Sequence, residues 1–194
     1  TLSTQSADVL EVLLRRRRAA LGGGGSLRFW EVGVALADTS SELLRRLPWL
    51  FVEAIDPYAV VPSFADAAWQ WHSYVTAAGR LSRFSGRARL WRMDSTVAAR
   101  SLAPALSARD VVFIDAAHAF CSVRTDLEAW APLVATSGGL LVGHDWTWGF
   151  GFESGPEVAA AVTHWHKRQV AANPEFSPVV ISPGGHWWVD MSTH

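Results

Sequence analysis

The chain has 194 residues, of which 49% are hydrophobic and 18% are charged, and its formal net charge is −1. This length favours one globular domain with its own core, and the near-neutral charge argues against a nucleic-acid-binding protein, a class that is usually basic. The single cysteine excludes an internal disulfide and fits a reducing compartment. No apolar stretch approaches the ~20 residues that span a bilayer. We therefore predict a cytoplasmic protein without membrane association. A targeting segment that once preceded Thr1 would not be visible in this sequence.

The N-terminal segment predicts a helix followed by a break. Residues 6–20, SADVLEVLLRRRRAA, have a broad apolar face at helical spacing, and LGGGGS follows. We therefore divide the chain into an N-terminal helix with a Gly-rich linker, 1–25, and a main domain, 26–194. The basic run at residues 15–18 has two interpretations: a solvated helix end, where cations suit the helix dipole, or a grip for RNA phosphates.

From residue 27 onward, apolar strands alternate with helices. The strands are LRFWEVGV, WLFVEAID, RARLWRM, DVVFID and GLLVGHD, and helices are predicted after each, including 64–78 and 96–106. The second helix of the chain opens on a predicted capping box, in which Thr39 caps and Glu42 reaches back. The pattern predicts an α/β fold: a doubly wound, Rossmann-like, mostly parallel sheet with helices on both faces. SPVVISPGGHWWVDM adds an antiparallel C-terminal hairpin.

The ends of the first two strands suggest a nucleoside cofactor. Gly33 follows the first strand, where a glycine allows close backbone approach, and the next helix opens near Thr39 and Ser40. Asp56 follows the second strand, where a carboxylate can accept hydrogen bonds from ribose hydroxyls. The loop lacks the GxGxxG turn of dinucleotide sites and has Asp38 beside it, which favours S-adenosylmethionine over a nicotinamide dinucleotide. A tight turn with a surface aspartate is the structural alternative.

The fourth and fifth strands end in proton-active side chains. Asp115 ends FID, His118 follows it, and His144 and Asp145 end GLLVGHD. If these strands are neighbours, about 4.8 Å apart, the two carboxylates and the His144 imidazole converge and can bind a divalent metal. The structural alternative is that the last two residues merely cap a strand end and a turn.

The residues at these strand ends resemble class I S-adenosylmethionine-dependent methyltransferases, and more narrowly the methyltransferase family 24 branch, related to macrolide-sugar and catechol O-methyltransferases. The resemblance runs from about residue 28 to 165 and rests on FWEVGVALADTSSELLRRLP, IDPY, RMDS, GPEVAAAV and, most specifically, VVFIDAAHAFCSVRTDLEAWAPLVATSGGLLVGHDW.

The resemblance implies roles for particular residues. Glu31 and Gly33 would line the methionine end of the cofactor, and Asp56 would hold its ribose. The remaining implied cofactor contacts are Asp94 and Ser95 beside the adenine, with Thr39, Ser40 and Asp115. Asp115, His144 and Asp145 would be metal ligands, and His118 would take the proton of the acceptor hydroxyl.

Two residues depart from the family pattern. Ala37 stands where the family usually has a second glycine, and His144 stands where relatives usually have a carboxylate. Imidazole is a poor ligand for Mg²⁺. Three alternatives therefore stay open: a softer metal (Mn²⁺, Fe²⁺ or Zn²⁺) replaces Mg²⁺, His144 is a second base, or no metal binds.

We expect a methyltransferase that acts on the hydroxyl of a small, aromatic or sugar-like acceptor, with His118 as base, Asp115 and His144 in catalysis, and a divalent metal assisting. The aromatic residues that follow the fifth strand would form a lid, namely Trp146, Trp148, Phe150 and Phe152. The alternatives are an inactive relative that binds S-adenosylmethionine or a nucleoside, a nicotinamide-dependent oxidoreductase, and an RNA methyltransferase that uses residues 15–18, Arg83, Arg87 and Arg89. The sequence is also compatible with a homo-oligomer and leaves the oligomeric state open.

Overall fold

The computed structural model describes residues 2–59, 67–102, 110–147 and 156–191. Within these ranges, six α-helices cover a seven-stranded sheet. The strands are β1 (Leu27–Val32), β2 (Leu50–Ile55), β3 (Ala88–Trp91), β4 (Asp110–Ile114), β5 (Leu140–Gly143), β6 (Val180–Ile181) and β7 (Trp187–Asp190). The helices are α1 (Leu2–Ala20), α2 (Asp38–Arg46), α3 (Ala67–Leu81), α4 (Ser95–Leu102), α5 (Phe120–Ser137) and α6 (Glu157–Ala172).

The sheet has the strand order β3-β2-β1-β4-β5-β7-β6. β1 to β5 pair in parallel, and β7 pairs antiparallel with both β5 and β6. This confirms the predicted doubly wound sheet with its antiparallel C-terminal hairpin. The strand order reverses between β1 and β4, which is the place where open parallel sheets bind their ligands.

Alternation along the strands builds a core on each face of the sheet. Phe29 and Phe113 point to the face covered by α1, α2 and α3, where their rings stack with centroids 5.8 Å apart. Trp30 and Val112, one residue away in sequence, point to the face covered by α4, α5 and α6. Because a strand turns successive side chains to opposite faces, strands that are apolar throughout are the ones buried on both sides.

The N-terminal helix α1 packs on the main core. Its buried residues Ala7, Leu10 and Leu14 share one hydrophobic cluster with β1 and β2. Residues 22, 23 and 25 of the glycine run have positive φ angles and turn the chain directly from α1 into β1. The division after residue 25 stays a prediction, which a truncation starting at residue 26 would test.

The basic run at residues 15–18 is largely tied into the fold. Arg17 is buried, and its guanidinium donates a hydrogen bond to the carbonyl of Gly138. The guanidinium of Arg18 lies over the ring of Trp49, 4.8 Å from its centroid. These contacts favour a structural role for the run over a grip on RNA.

The predicted capping box at the start of α2 is wrong. The helix begins at Asp38 after Ala37, which has a left-handed backbone with φ 58°, and within this described segment no side chain caps it. Thr39 is buried in the first turn, and Glu42 pairs instead with arginines one turn further along the helix.

Helix bounds differ from the predicted ones by a few residues. The helix predicted at 64–78 is α3, at 67–81, and the helix predicted at 96–106 begins at Ser95 and is described to Leu102. Of the predicted aromatic lid, Trp148, Phe150 and Phe152 lie outside the described residues. None of the helices in the described ranges has the length and apolar character needed to cross a membrane.

Candidate functional site

The carboxyl ends of β4 and β5 lie side by side, as the sequence predicted. Ile114 of β4 pairs with Gly143 of β5, so the next residues along, Asp115 and His144, leave the sheet together. The amide of His144 donates a hydrogen bond of 3.3 Å to the carbonyl of Ile114. The strand ends therefore bring Asp115 and the His144–Asp145 pair together next to the place, between β1 and β4, where the strand order reverses.

Two carboxylates and two imidazoles contact one another there. Nε2 of His118 lies 2.7 Å from Oδ2 of Asp145. Nδ1 of His144 lies 3.1 Å from Oδ1 of Asp145 and 3.6 Å from Oδ1 of Asp115. One ligand atom from each of Asp115, His144 and Asp145 lies within 4.8 Å of the others. We call these four residues the acid–imidazole cluster.

The two carboxylates of the cluster determine the charge of His144. Burial lowers the pKa of His144, but hydrogen bonds and charges from Asp115 and Asp145 outweigh it and raise the pKa to about 10. Burial raises the pKa of Asp145, but hydrogen bonds from His118 and His144 bring it well below its usual range. At neutral pH the cluster therefore holds an imidazolium beside ionised Asp145.

The backbone turns sharply at Asp145. Its φ angle is 56°, in the left-handed region that aspartate tolerates better than most residues. The amide of the next residue, Trp146, donates a hydrogen bond of 2.9 Å to the carbonyl of Gly185, in the hairpin between β6 and β7. This contact holds the turn so that both Asp145 oxygens face the histidines.

Gly33 allows two chain segments to approach closely. It has a φ angle of 90°, and a Cβ atom at this position would lie 2.2 Å from the carbonyl oxygen of Asp115. The segment after β4 comes close to Gly33, and the predicted close approach of Gly33 to a ligand stays a prediction. The glycine thereby lets the ends of β1 and β4 lie against each other.

Glu31, near the end of β1, is a buried acid that is 3% exposed. Ser40 donates a hydrogen bond to its carboxylate. Burial raises its pKa to about 8, a shift that the hydrogen bond from Ser40 opposes and the negative charges of Asp115, Asp56 and Asp38 reinforce. Near neutral pH most of this carboxyl group is therefore protonated and uncharged.

A cavity of about 240 Å³ opens beside these residues. A second, much smaller cavity of about 10 Å³, close to the size of one water molecule, adjoins the cluster. Asp115 and His144 line both cavities. The larger cavity is also lined by Ser6, Glu31, Gly33, Asp38, Thr39 and Trp69, among others. His118, Val158 and Trp187 line the smaller one.

Asp56, at the end of β2, organises the loop after β1. Its Oδ2 accepts hydrogen bonds of 3.0 Å from the amides of both Val34 and Ala35, and its Oδ1 accepts one of 2.8 Å from the amide of Tyr58. These contacts fix the backbone that lines the larger cavity. The ribose contact of Asp56 stays a prediction.

Asp94 and Ser95, implied to lie near the adenine, both take part in local structure at the start of α4. Oδ1 of Asp94 accepts hydrogen bonds from the amide (2.9 Å) and the hydroxyl (2.6 Å) of Thr96. Ser95 donates a hydrogen bond to the carboxylate of Asp126, and burial raises the pKa of Asp126 to about 6. The contact of Asp94 and Ser95 with adenine stays a prediction.

His186 also lies in this region, although no motif in the sequence predicted it there. It is 1% exposed, and its ring centroid lies 4.4 Å from that of His144. Burial, with a contribution from the charge of His144, lowers its pKa to about 4, so its imidazole is neutral. The available signal was the GGHWW stretch, in which a histidine immediately precedes the strand that pairs with the strand leading into GHD.

An open, mostly parallel sheet that reverses its order between β1 and β4, with an antiparallel last strand and acids at or near the ends of the first, second and fourth strands, is the arrangement of class I S-adenosylmethionine-dependent methyltransferases. The model of methyltransferase family 24, described as a methyltransferase domain, matches residues 28–146. The chain therefore belongs to this family. Its cofactor is accordingly S-adenosylmethionine. No curated protein matches the chain.

Solved methyltransferase structures share this fold. A protein assigned as a caffeoyl-CoA O-methyltransferase from Staphylococcus aureus is 15% identical, with 96% of this chain and 83% of that chain covered and a TM-score of 0.61. The tomaymycin-synthesis O-methyltransferase TomG from Streptomyces achromogenes, in complex with S-adenosylmethionine, is 17% identical, with coverages of 96% and 79% and a TM-score of 0.61. The TDP-rhamnose 3'-O-methyltransferase of calicheamicin synthesis is 14% identical, with coverages of 94% and 77% and a TM-score of 0.56. At these identities the likeness establishes the fold.

Proposed function

We propose that this methyltransferase transfers the methyl group of S-adenosylmethionine to a hydroxyl oxygen of a small molecule. The observation that carries the proposal is the 2.7 Å contact between His118 and Asp145, which forms an oriented base beside the cavities at the strand ends. The sulfonium of the cofactor is already activated as a leaving group. The protein must therefore align the acceptor and remove its proton.

Asp145 orients His118 for this task. In a neutral imidazole one nitrogen donates a proton and the other carries a lone pair. Because Nε2 faces the Asp145 carboxylate, it is the nitrogen that carries the hydrogen, and Nδ1 is the nitrogen that accepts the proton of the acceptor hydroxyl. As the acceptor oxygen forms its bond to the methyl carbon, the carbon–sulfur bond breaks, and Asp145 stabilises the imidazolium that results.

The larger cavity is the proposed cofactor site. Glu31, Gly33 and Thr39 line it, and Asp56 fixes the loop above it. In this proposal the methionine end of the cofactor lies near Glu31, and the transferred methyl group points toward Asp115 and His144, which separate the two cavities. The acceptor hydroxyl then lies on the His118 side.

The cluster also fits a divalent metal ion that accepts nitrogen ligands. Its donors are the Asp115 and Asp145 carboxylates and the His144 imidazole, and imidazole suits Mn²⁺, Fe²⁺, Co²⁺ or Zn²⁺ better than Mg²⁺. When bound, such an ion would lower the pKa of the acceptor hydroxyl. Because an ion on Nδ1 of His144 replaces a proton there, we expect metal affinity to rise with pH.

Trp69 stands at the solvent-facing edge of the cofactor cavity, where the body of an aromatic or sugar-like acceptor would pack while its hydroxyl reaches toward His118. Trp69 lines this cavity and is 45% exposed, so its ring can stack on a flat molecule or on the apolar face of a sugar. Trp71 on the same helix is 60% exposed and packs on Tyr74 instead. We expect Trp69→Ala to raise the KM of the acceptor at least about 5-fold and the control Trp71→Ala to leave it unchanged.

The test is a metabolite and natural-product screen with S-adenosylmethionine, read by mass spectrometry as the gain of one methyl group. We expect one or more hydroxylated acceptors to react, with S-adenosylhomocysteine formed in equal amount. His118→Asn serves as the comparison, because it keeps a hydrogen bond toward Asp145 and loses the base. Methylation only of nitrogen or carbon atoms, or undiminished turnover by His118→Asn, would contradict the proposal.

A further inference from the structure

The loop after β1 has the backbone geometry of an anion-binding nest. Every second residue of the loop, namely Gly33, Ala35 and Ala37, has a positive φ angle, of 90°, 47° and 58°. A backbone that alternates in this way turns successive N–H groups toward one point, and such a concavity binds anions, phosphate among them. The amides of Val34 and Ala35 converge on a single atom that lies 3.0 Å from each nitrogen. We call the concavity formed by these two amides the loop nest.

The atom that occupies the loop nest belongs to the protein itself. It is Oδ2 of Asp56, a residue that follows β2. The other oxygen of the same carboxylate, Oδ1, accepts the hydrogen bond from the amide of Tyr58. A carboxylate offers about four acceptor positions, and at least three are therefore used within the fold. A carboxylate oxygen thus fills the place that a phosphate oxygen would take.

The filled loop nest lies on the wall of the larger cavity. Val34 and Ala35 both line this cavity, which is the proposed cofactor site. The negative charge of Asp56 acts inside it, since that charge contributes to the raised pKa of Glu31. A phosphate group in the cavity would meet two amides that are already bound and a like charge beside them. Both features oppose its binding.

We propose that Asp56 determines the class of cofactor: by filling the loop nest, it excludes phosphate-bearing nucleotides from the cavity and restricts the cavity to nucleosides without a 5′ phosphate, such as S-adenosylmethionine. The inference rests on the proposed cofactor site and adds a selective role to the ribose contact predicted for Asp56. A purely structural role for this carboxylate would stabilise the loop without changing which anions the chain binds.

Other contacts support the loop, so the nest is expected to persist when the carboxylate is removed. The hydroxyl of Tyr58 donates a hydrogen bond of 3.1 Å to the carbonyl of Ala35. The guanidinium of Arg80, on α3, donates one of 2.7 Å to the carbonyl of Leu36. Both donors are side chains that Asp56→Ala leaves in place. We therefore expect this variant to fold with a vacant loop nest.

Inorganic phosphate is the probe, added to the full chain without cofactor at constant ionic strength. Amide NMR spectra report binding at Val34 and Ala35 directly. In Asp56→Ala, phosphate is expected to shift both amide signals, to bind at least about 10-fold more tightly than in the wild type, and to raise the Tm. Asp56→Asn is the matched control, because it loses the same charge and keeps a side-chain oxygen for the nest. Its phosphate affinity is expected to stay within about 3-fold of the wild type.

A second measurement needs no variant. Adenosine, AMP and ADP differ in the number of phosphates at the 5′ position, and calorimetry measures the affinity of wild-type protein for each. We expect the affinity to fall from adenosine to AMP to ADP, because each phosphate adds negative charge beside Asp56. In Asp56→Ala the order of the three affinities is expected to reverse. If this variant does not fold, the series in the wild type decides.

Three results would overturn the inference: ADP bound more tightly than adenosine by the wild type, no phosphate-induced shift of the two loop amides in a folded Asp56→Ala, or equal phosphate affinity in the alanine and asparagine variants. The phosphate titration uses neither cofactor nor acceptor, so its outcome is separate from the methyl-transfer assay. A wild-type chain that binds no S-adenosylhomocysteine, with phosphate bound by Asp56→Ala at Val34 and Ala35, would refute the proposed cofactor site and leave the loop nest assignment standing.

Discussion

Replacing Glu31 by glutamine is expected to stabilise the cofactor-free protein at alkaline pH. The buried carboxyl has its pKa raised from 4.5 to about 8, chiefly by burial. Between these two values the native state keeps a proton that the unfolded chain has lost, so stability falls as pH rises through this window and levels off above it. At 1.36 kcal/mol for each pKa unit, the full shift corresponds to an upper limit of about 5 kcal/mol. Glutamine keeps an acceptor for Ser40 and does not ionise.

The assay is urea or thermal unfolding of wild type and Glu31→Gln, without cofactor, near pH 5 and near pH 8.5. Other groups also titrate in this range, so the difference between the two proteins is the quantity that isolates Glu31. We expect this difference to favour the variant by several kcal/mol near pH 8.5 and to shrink toward pH 5. Glu53→Gln is the matched control, because it removes another buried sheet carboxylate, one that Trp91 hydrogen-bonds at 2.7 Å. It is expected to be destabilising.

The same residue links stability to cofactor binding. If the cationic methionine end of S-adenosylmethionine lies near Glu31, binding favours the ionised carboxylate and releases close to one proton near pH 7. Calorimetry in buffers of different ionisation enthalpy measures that release. Glu31→Gln should release none and bind at least about 10-fold more weakly. Stability curves that run parallel across the pH range in wild type and variant would refute the reasoning about Glu31.

The other substitutions test single features of the site. Gly33→Ala is expected to cost roughly 2–4 kcal/mol in urea unfolding, because φ is 90° and its Cβ would meet the carbonyl of Asp115; a cost below about 1 kcal/mol would contradict that contact. Ala37→Gly should change stability by less than about 1 kcal/mol, because relief of the left-handed backbone offsets the added freedom of the unfolded chain; a loss of more than about 2 kcal/mol would show another role for the methyl group. His118→Asn should lower kcat about 10²–10⁴-fold with S-adenosylhomocysteine affinity nearly unchanged, and a loss of affinity instead would place the residue in the cofactor site. Asp145→Asn suits the same left-handed backbone and should lower kcat while leaving the fold intact, as circular dichroism would verify.

The sequence pattern was sufficient to predict the sheet and the positions of the residues that follow its strands. Asp115 and His144 could be predicted because a buried parallel strand places its next residue at the carboxyl edge of the sheet, and neighbouring strands share that edge. These are properties of strand order, which alternation of strands and helices reveals.

Long-range contacts were beyond the sequence pattern. The predicted capping box of Thr39 and Glu42 is a local motif, whereas the amides of the loop before the helix are bound by Asp56, which follows a different strand. His186 depends on the antiparallel register of β5 and β7, which no local spacing encodes. The hydrogen bond from Ser40 to Glu31 joins a helix to a strand, and the contact of Ser40 with the cofactor stays a prediction.

The most direct test of the central claim is a calorimetric titration of the wild-type chain with S-adenosylhomocysteine, with NAD titrated in parallel. If the ends of β1, β2 and β4 form one cofactor site, one S-adenosylhomocysteine binds per chain and NAD does not bind. Binding of NAD without binding of S-adenosylhomocysteine would contradict the account.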